Sequence, residues 1–220
     1  VSLEPPRFWS AEPIYYSIAR KEKRMFGLLK KKQDDAAKEL VIARLNARVQ
    51  PIDRGDYYED PLNDLLKQSN LGEVTGGGTQ LADEPAGIEF CDIEILVDDV
   101  TEDTTRGLIE RLEFIGVPKG SRLILGRDGT ELPFGKQEGL GLFLNGSDLP
   151  DEVYAESDVN HVIEECDQSM GDGGSFKGYW EGSRETALYF YGDSFAEMKA
   201  AIASFVAAYP LCQDARIEQI

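Results

Sequence analysis

Residues 71–81 read LGEVTGGGTQL, three consecutive glycines just ahead of an acidic stretch. The backbone N–H groups of a glycine loop can cradle a phosphate, but only in a set context. A Walker loop ends in Gly-Lys-Ser/Thr and enters a helix, and a Rossmann loop places GxGxxG between a strand and a helix. Here Gly76, Gly77 and Gly78 are followed by Thr79 and Gln80 without a lysine, and Asp83, Glu84 and Glu89 come close behind. The residues favour a bulge or a close backbone approach inside a strand over a phosphate cradle.

Other residues with chemical potential are few. His161 is the only histidine, flanked by Val162 and Ile163, and no GxSxG-like elbow offers it a nucleophile. One histidine is also too few for a histidine-based metal site. "DRGDYYED" (53–60) gathers Asp53, Asp56, Glu59 and Asp60 without EF-hand spacing, and reads as a solvated helix start. Asp92 and Glu94 alternate on one strand face and form a candidate carboxylate pair. Tyr179 and Trp180, with Tyr189 and Tyr191 on the next strand, have the layout of an RNA-stacking sheet. Only Lys177 and Arg184 accompany them, so nucleic acid is disfavoured. Cys91, Cys166 and Cys212 form no CxxC pair, and Cys91 alternates with Ile93 and Ile95 as a small buried apolar residue. Neither a cofactor nor a metal is expected.

Charge divides the chain unevenly. Residues 1–55 carry 12 basic and 7 acidic side chains, whereas residues 56–126 carry 5 and 16, and residues 127–220 carry 6 and 18. The whole chain is at −18, with its positive charge concentrated in "RKEKRMFGLLKKK" (20–32). Such a body repels phosphate backbones and attracts a basic partner. No apolar run approaches the roughly 20 residues of a membrane span, no signal-peptide pattern is present, and free cysteines suit a reducing cytoplasm.

The elements that must position these residues come in a repeated order. "ELVIARLNARVQPI" (39–52) alternates as a strand and "YEDPLNDLLKQSN" (58–70) has helical spacing. "GEVTGGGTQL" and "GIEFCDIEILVD" read as strands, "TEDTTRGLIERLEFIG" (101–116) as a helix and "SRLIL" (121–125) as a strand. The second half repeats β-α-β-β-α-β with strands at 138–146, 175–182, 186–193 and 215–220, and helices at 157–170 and 194–210. The expectation is an α+β fold of two tandem ferredoxin-like (βαββαβ) sandwiches with antiparallel sheets. Residues 1–38 form a basic N-terminal extension, in which "PIYYSIA" suits an edge strand and "KRMFGLLKKKQDDAAKEL" a helix. The halves are 39–126 and 127–220, joined by a linker in "GRDGTELPFGKQ" (126–137). In each half one sheet face is left open. Tyr189 and Tyr191 should lie on one such face, and Asp92 and Glu94 on the other.

"IDRGDYYEDPL", "GEVTGGGTQL", "EFCDIEI", "GVPKGS", "LPDEVY", "TALYFYG" and "YPLCQDARIEQI" resemble a group of bacterial proteins with no assigned activity. The resemblance spans most of residues 39–220 and brings no functional residues with it. Size and acidity are similar to those of bacterial immunity proteins, by class alone. The leading expectation is therefore a non-enzymatic, acidic binding module for a basic protein, of immunity or antitoxin type. Its partner-binding residues would be Asp92, Glu94, Tyr179, Trp180, Tyr189 and Tyr191. The alternatives are a small-ligand binder or enzyme with a pocket between the two sheets, using His161 or Asp92/Glu94, and a structural protein whose sheet edges drive homo-oligomers.

Overall fold

The computed structural model describes residues 38–82, 87–126 and 128–220, all of which fall in one compact unit, Asp35–Ile220. The expected strand at "PIYYSIA" lies outside the described residues. So does the basic helix, except that Glu39 and Leu40, expected to end it, open the first strand.

The fold is α+β with two antiparallel sheets. In the first half β1 (Glu39–Leu45) is followed by α1 (Pro51–Arg54), a π-type turn (Gly55–Glu59) and α2 (Asp60–Ser69). Then come β2 (Glu73–Leu81), β3 (Ile88–Val97), α3 (Glu102–Phe114), β4 (Ser121–Leu125) and β5 (Thr130–Phe134). The spatial order is β2-β3-β1-β4-β5. The second half contains β6 (Glu138–Asn145), α4 (Asp151–Glu156), α5 (Val159–Met170), β7 (Gly174–Glu181), β8 (Glu185–Gly192), α6 (Phe195–Ala208) and β9 (Arg216–Gln219). Its sheet runs β7-β8-β6-β9, so each half places its second strand at an edge and its first strand inside.

Period-2 alternation sets the first sheet. Val41, Ala43 and Leu45 lie opposite Ile95, Ile93 and Cys91, and all six are buried in one core with Leu62 and Leu66 of α2 and Leu108 and Leu112 of α3. Helix starts follow their caps. Thr101 Oγ1 accepts the Thr104 N–H at 3.2 Å, Asp158 Oδ1 accepts that of Asn160 at 2.8 Å, and Ser194 Oγ accepts that of Glu197 at 3.4 Å. Asn70 ends α2 in the left-handed region at φ 52°.

Three expectations are corrected. β1 stops at Leu45, because Pro51 and Ile52 begin α1 and cannot continue the ladder. The supposed linker folds as β5, pairing Leu123 with Leu132 and extending the first sheet. The helix of the first half starts seven residues earlier than 58, with five residues in the wider π-type turn.

β2 carries both features its glycines imply. Its register with β3 shifts between Val74 and Gly76, which leaves Thr75 as a bulge. A Cβ on Gly77 would lie 2.5 Å from the Asp92 carbonyl oxygen, 2.6 Å from Glu59 Oε1 and 2.9 Å from Arg54 Nε. The buried Arg54 guanidinium bonds Glu59 Oε1 at 2.5 Å and Thr79 Oγ1 at 2.7 Å. Only glycine at 77 leaves room for that ion pair against the edge strand. A Cβ on Gly78 would meet open space.

Gly77→Ala should therefore cost about 1–3 kcal/mol through overpacking, whereas Gly78→Ala should fall within about 0.5 kcal/mol of the parent. Urea midpoints at constant m-value report both. The three cysteines are free and buried, and burial pushes Cys91 and Cys166 up to about 12 and Cys212 to about 11. Because the fold favours the neutral thiols, their contribution holds below the ordinary thiol value of 9.0 and is lost as pH rises towards 12. All three should resist a thiol reagent at pH 8 in the native state and react on unfolding; fast native labelling would contradict this burial.

Candidate functional site

Asp92 and Glu94 share the outer face of the first sheet, as alternation requires, but they do not act as a pair. Asp92 accepts two hydrogen bonds from Arg44, Nε to Oδ1 and Nη2 to Oδ2, each 3.0 Å long. The Arg44 guanidinium also lies 4.1 Å from the Phe90 ring centroid, so its fork and its flat face are both occupied. Glu94 is exposed and makes no ion pair among the described residues. This face thus offers one free carboxylate beside a neutralised one.

The aromatic quartet is divided by the sheet rather than gathered on one side. Tyr189 and Tyr191 are 0% exposed and belong to the first half's core, together with Val49 and Tyr58. Leu188 and Phe190 lie in the other core under α5 and α6. The second sheet is therefore covered on both faces, by its own helices and by the first half. Tyr191 Oη accepts the Arg48 N–H at 2.7 Å. Tyr189 and Tyr191 are thus internal and cannot meet a partner. Tyr179 packs on the helix side, and its carbonyl accepts from Gln50 Nε2 at 3.1 Å. Trp180 packs on the opposite side, where Gly87 approaches so closely that a Cβ there would lie 2.5 Å from the indole Cγ. Between them, these contacts fasten the two halves. Sequence periodicity placed each ring on its face; it could not show that the other half covers that face.

His161 is exposed on α5 and sits edge-on to Phe205 at 5.8 Å and to Tyr209 at 5.2 Å, centroid to centroid. Phe205 and Tyr209 stack on each other at 5.2 Å, and Tyr209 Oη accepts the Asp158 N–H at 3.0 Å. The trio forms an aromatic seam between α5 and the end of α6, away from Asp92 and Glu94. The residues named for an enzymatic pocket are therefore not brought together.

Two features were missed by sequence reading. The first is a cluster of titratable groups at the junction of the halves. Lys177 is the extra residue of a bulge in β7, since Phe176 pairs with Phe190 and Gly178 with Tyr189. Its Nζ lies 4.4 Å from the Tyr57 ring centroid, and Tyr57 belongs to the π-type turn. Asp53 Oδ2 approaches Gly178 from α1, and Asp167 of α5 accepts the Phe176 N–H on Oδ1 at 2.8 Å. Burial raises the carboxyl pKa of Asp53, against a backbone bond from Gln50 and with help from Asp56. Burial likewise raises that of Asp167, against the Phe176 N–H and the Lys177 charge. Burial lowers the Lys177 ammonium, which Asp167 opposes. Nothing in the local sequence marks this cluster, because its members are joined only across the junction.

The second is a surface. Residues 137–176 contain ten acids and no lysine or arginine, a run that charge counting over whole halves averages away. They fold as β6, α4 and α5, and Asp148, Asp151, Glu152, Glu156, Asp158 and Glu164 are all exposed. Among the described residues no ion pair neutralises any of these six. The neighbouring α6 exposes Ala200, Ala201, Ala203 and Ser204, beside the His161–Phe205–Tyr209 seam. No three His, Cys, Asp or Glu side chains converge as metal ligands among the described residues, and no described helix is long and apolar enough to cross a membrane.

No family model matches the chain, and no curated protein matches it. Among solved structures it is similar to an unknown protein from Galdieria sulphuraria, with a TM-score of 0.27 and 10% identity over 83% of this chain and 97% of that one. A putative monooxygenase from Fusobacterium nucleatum gives 0.26 and 10% identity over 84% and 90%. An anthrone oxidase-like protein gives 0.23 and 12% identity over 83% and 89%. Similarity this weak transfers no chemistry to the residues above.

The junction makes a paired prediction. Tyr191→Phe leaves the Arg48 N–H without its partner and should cost about 1–3 kcal/mol. Tyr58 Oη is buried with no hydrogen-bond partner, so Tyr58→Phe should be neutral within about 0.5 kcal/mol or stabilising. Chemical denaturation of the two variants reads the difference directly.

Proposed function

We propose that the chain is a non-enzymatic, acidic module that binds a basic protein, of the kind by which an immunity or antitoxin protein masks a toxin in the cytoplasm. In this reading the two halves are tandem ferredoxin-like sandwiches. The shared β-α-β-β-α-β order and the matching strand positions support that assignment.

The observation that carries the function is the exposed acid surface of α4, α5 and the residues flanking them, where no ion pair among the described residues neutralises six carboxylates. These carboxylates repel one another and are held together by the fold. A basic partner relieves that repulsion, and its charge is steered to the surface before contact. The adjoining small side chains of α6 and the aromatic seam provide the uncharged centre that a protein interface needs inside a charged rim. Glu94 and Leu40 lie on the outer face of the first sheet, where Asp92 and Glu131 are already paired with arginines. In this reading the partner surface lies on α4 and α5 of the second half.

Pull-down from the native host at low salt should recover a basic protein. Against that protein, the triple change Glu152→Gln, Glu156→Gln and Glu164→Gln should lower the association rate about tenfold or more and flatten its salt dependence. The control Glu102→Gln, Asp103→Asn and Glu110→Gln on α3 should alter it by less than about threefold. Recovery of no basic protein, or equal losses in both variants, would sink the assignment.

A further inference from the structure

α2 and α3 pack beside each other, and between them runs an open groove of about 370 Å³ lined by Leu65, Gln68, Ser69, Glu110, Arg111 and Phe114. That volume is within the range of small-molecule sites. Leu65 is half-buried, and Phe114 is 79% exposed, more than any other large apolar side chain among the described residues. Arg111 is held in place by neutral acceptors. Its Nε donates to Ser69 Oγ at 3.1 Å and its Nη1 to the Gly107 carbonyl at 2.8 Å, while Ser69 Oγ donates to the Leu65 carbonyl at 2.7 Å. A glycine inside a helix is unfavourable, and Gly107 has a local reason. A Cβ there would lie 3.1 Å from Leu71 Cδ2 and 3.3 Å from Arg111 Nη1. Arg44, Arg54, Arg106, Arg122 and Arg216 all pair with carboxylates, but Arg111 pairs with none among the described residues, and its Nη2 makes no hydrogen bond there. Glu110 is exposed and likewise makes no ion pair among the described residues.

We propose that this groove binds a free apolar α-amino acid. The zwitterion matches each kind of surface the groove presents. Its carboxylate takes the open N–H groups of the Arg111 guanidinium, and its ammonium takes the Glu110 carboxylate. Its side chain lies against Leu65 and Phe114, and the water it displaces there supplies the apolar gain. Charge complementarity decides the class. A simple carboxylic acid would bring a second negative charge beside Glu110 with nothing to offset it, and a simple amine would do the reverse beside Arg111. Glu110 and Arg111 are adjacent in the chain yet do not pair with each other, so both charges stay available to one small ligand. The groove belongs to the first half, and its assignment does not rest on the acid surface of α4 and α5.

The test is an NMR titration of the intact, isotope-labelled chain at neutral pH with L-phenylalanine, 3-phenylpropionate and phenethylamine as probes. L-Phenylalanine should shift the amides of residues 65–69 and 110–114 with a Kd of about 1 mM. The two probes that each lack one charge should bind about threefold or more weakly. Glu110→Gln should weaken L-phenylalanine about threefold while leaving 3-phenylpropionate unchanged or tighter, whereas a mere loss of packing would weaken both. Arg111→Gln should weaken L-phenylalanine and 3-phenylpropionate but not phenethylamine. Glu110 is exposed and unpaired, so its variant keeps the readout if Arg111→Gln unsettles α2 against α3. The proposal is overturned if those amides do not move up to about 20 mM L-phenylalanine, or if the three probes bind equally.

Discussion

The second sheet is buried on both faces, and the rest of the structure is organised around that fact. A sheet with two helices on one side leaves its other side apolar, and here that side carries Tyr189, Tyr191, Ala187 and Phe143. Water cannot solvate such a surface cheaply, so it must be covered. The first half provides the cover with Ala47, Val49 and Tyr58, and the Arg48 N–H meets the Tyr191 hydroxyl. The core of the first half and the cover of the second sheet are thus one continuous cluster. The requirement also explains why β1 ends at Leu45. The chain after it must leave its sheet to lie across the neighbouring one.

That docking has a cost in regularity. The segment from Pro51 to Ser69 accommodates a π-type turn, β7 carries a bulge at Lys177, and β2 carries glycines where an arginine–glutamate pair crosses its edge. All three depart from ideal geometry beside the junction. None is needed to close either sheet by itself, since each sheet has its full set of antiparallel partners. They are local adjustments that let the two sheets and their helices share a boundary, and they bring Asp53, Tyr57, Asp167 and Lys177 into one neighbourhood. Among the described residues the first sheet has no such neighbour on its outer face, and there Arg44, Asp92 and Phe90 satisfy one another.

Much of this was legible from residue order. The alternation of Val41, Ala43 and Leu45 and of Cys91, Ile93 and Ile95 fixed strand and face together, because a one-residue slip would turn the whole apolar set outward. Helical spacing marked the helices at 101–116, 157–170 and 194–210, and in the structure Thr101, Asp158 and Ser194 cap their starts. The glycines of β2 were readable as a close approach, although Arg54 and Glu59 were not readable as the groups that approach. The site fared worse. Of six residues singled out for a partner, Tyr189 and Tyr191 are internal and Asp92 is neutralised by Arg44. The acidic run of 137–176 was present in the sequence and was hidden only by averaging charge over a whole half.

Local rules determined the elements, the faces of their residues and the acidity of the body, because periodicity, capping and charge act over a few residues along the chain. Tertiary structure decided which faces stay in water. Whether Tyr191 is an anchor for a partner or a pillar of the core depends on a segment more than a hundred residues away, and the pairing of Lys177 with Tyr57 depends on the same docking. Burial is a property of what packs against a residue. The chain's order of residues specifies the surface of each half, and only the packing of the two halves settles which part of that surface remains.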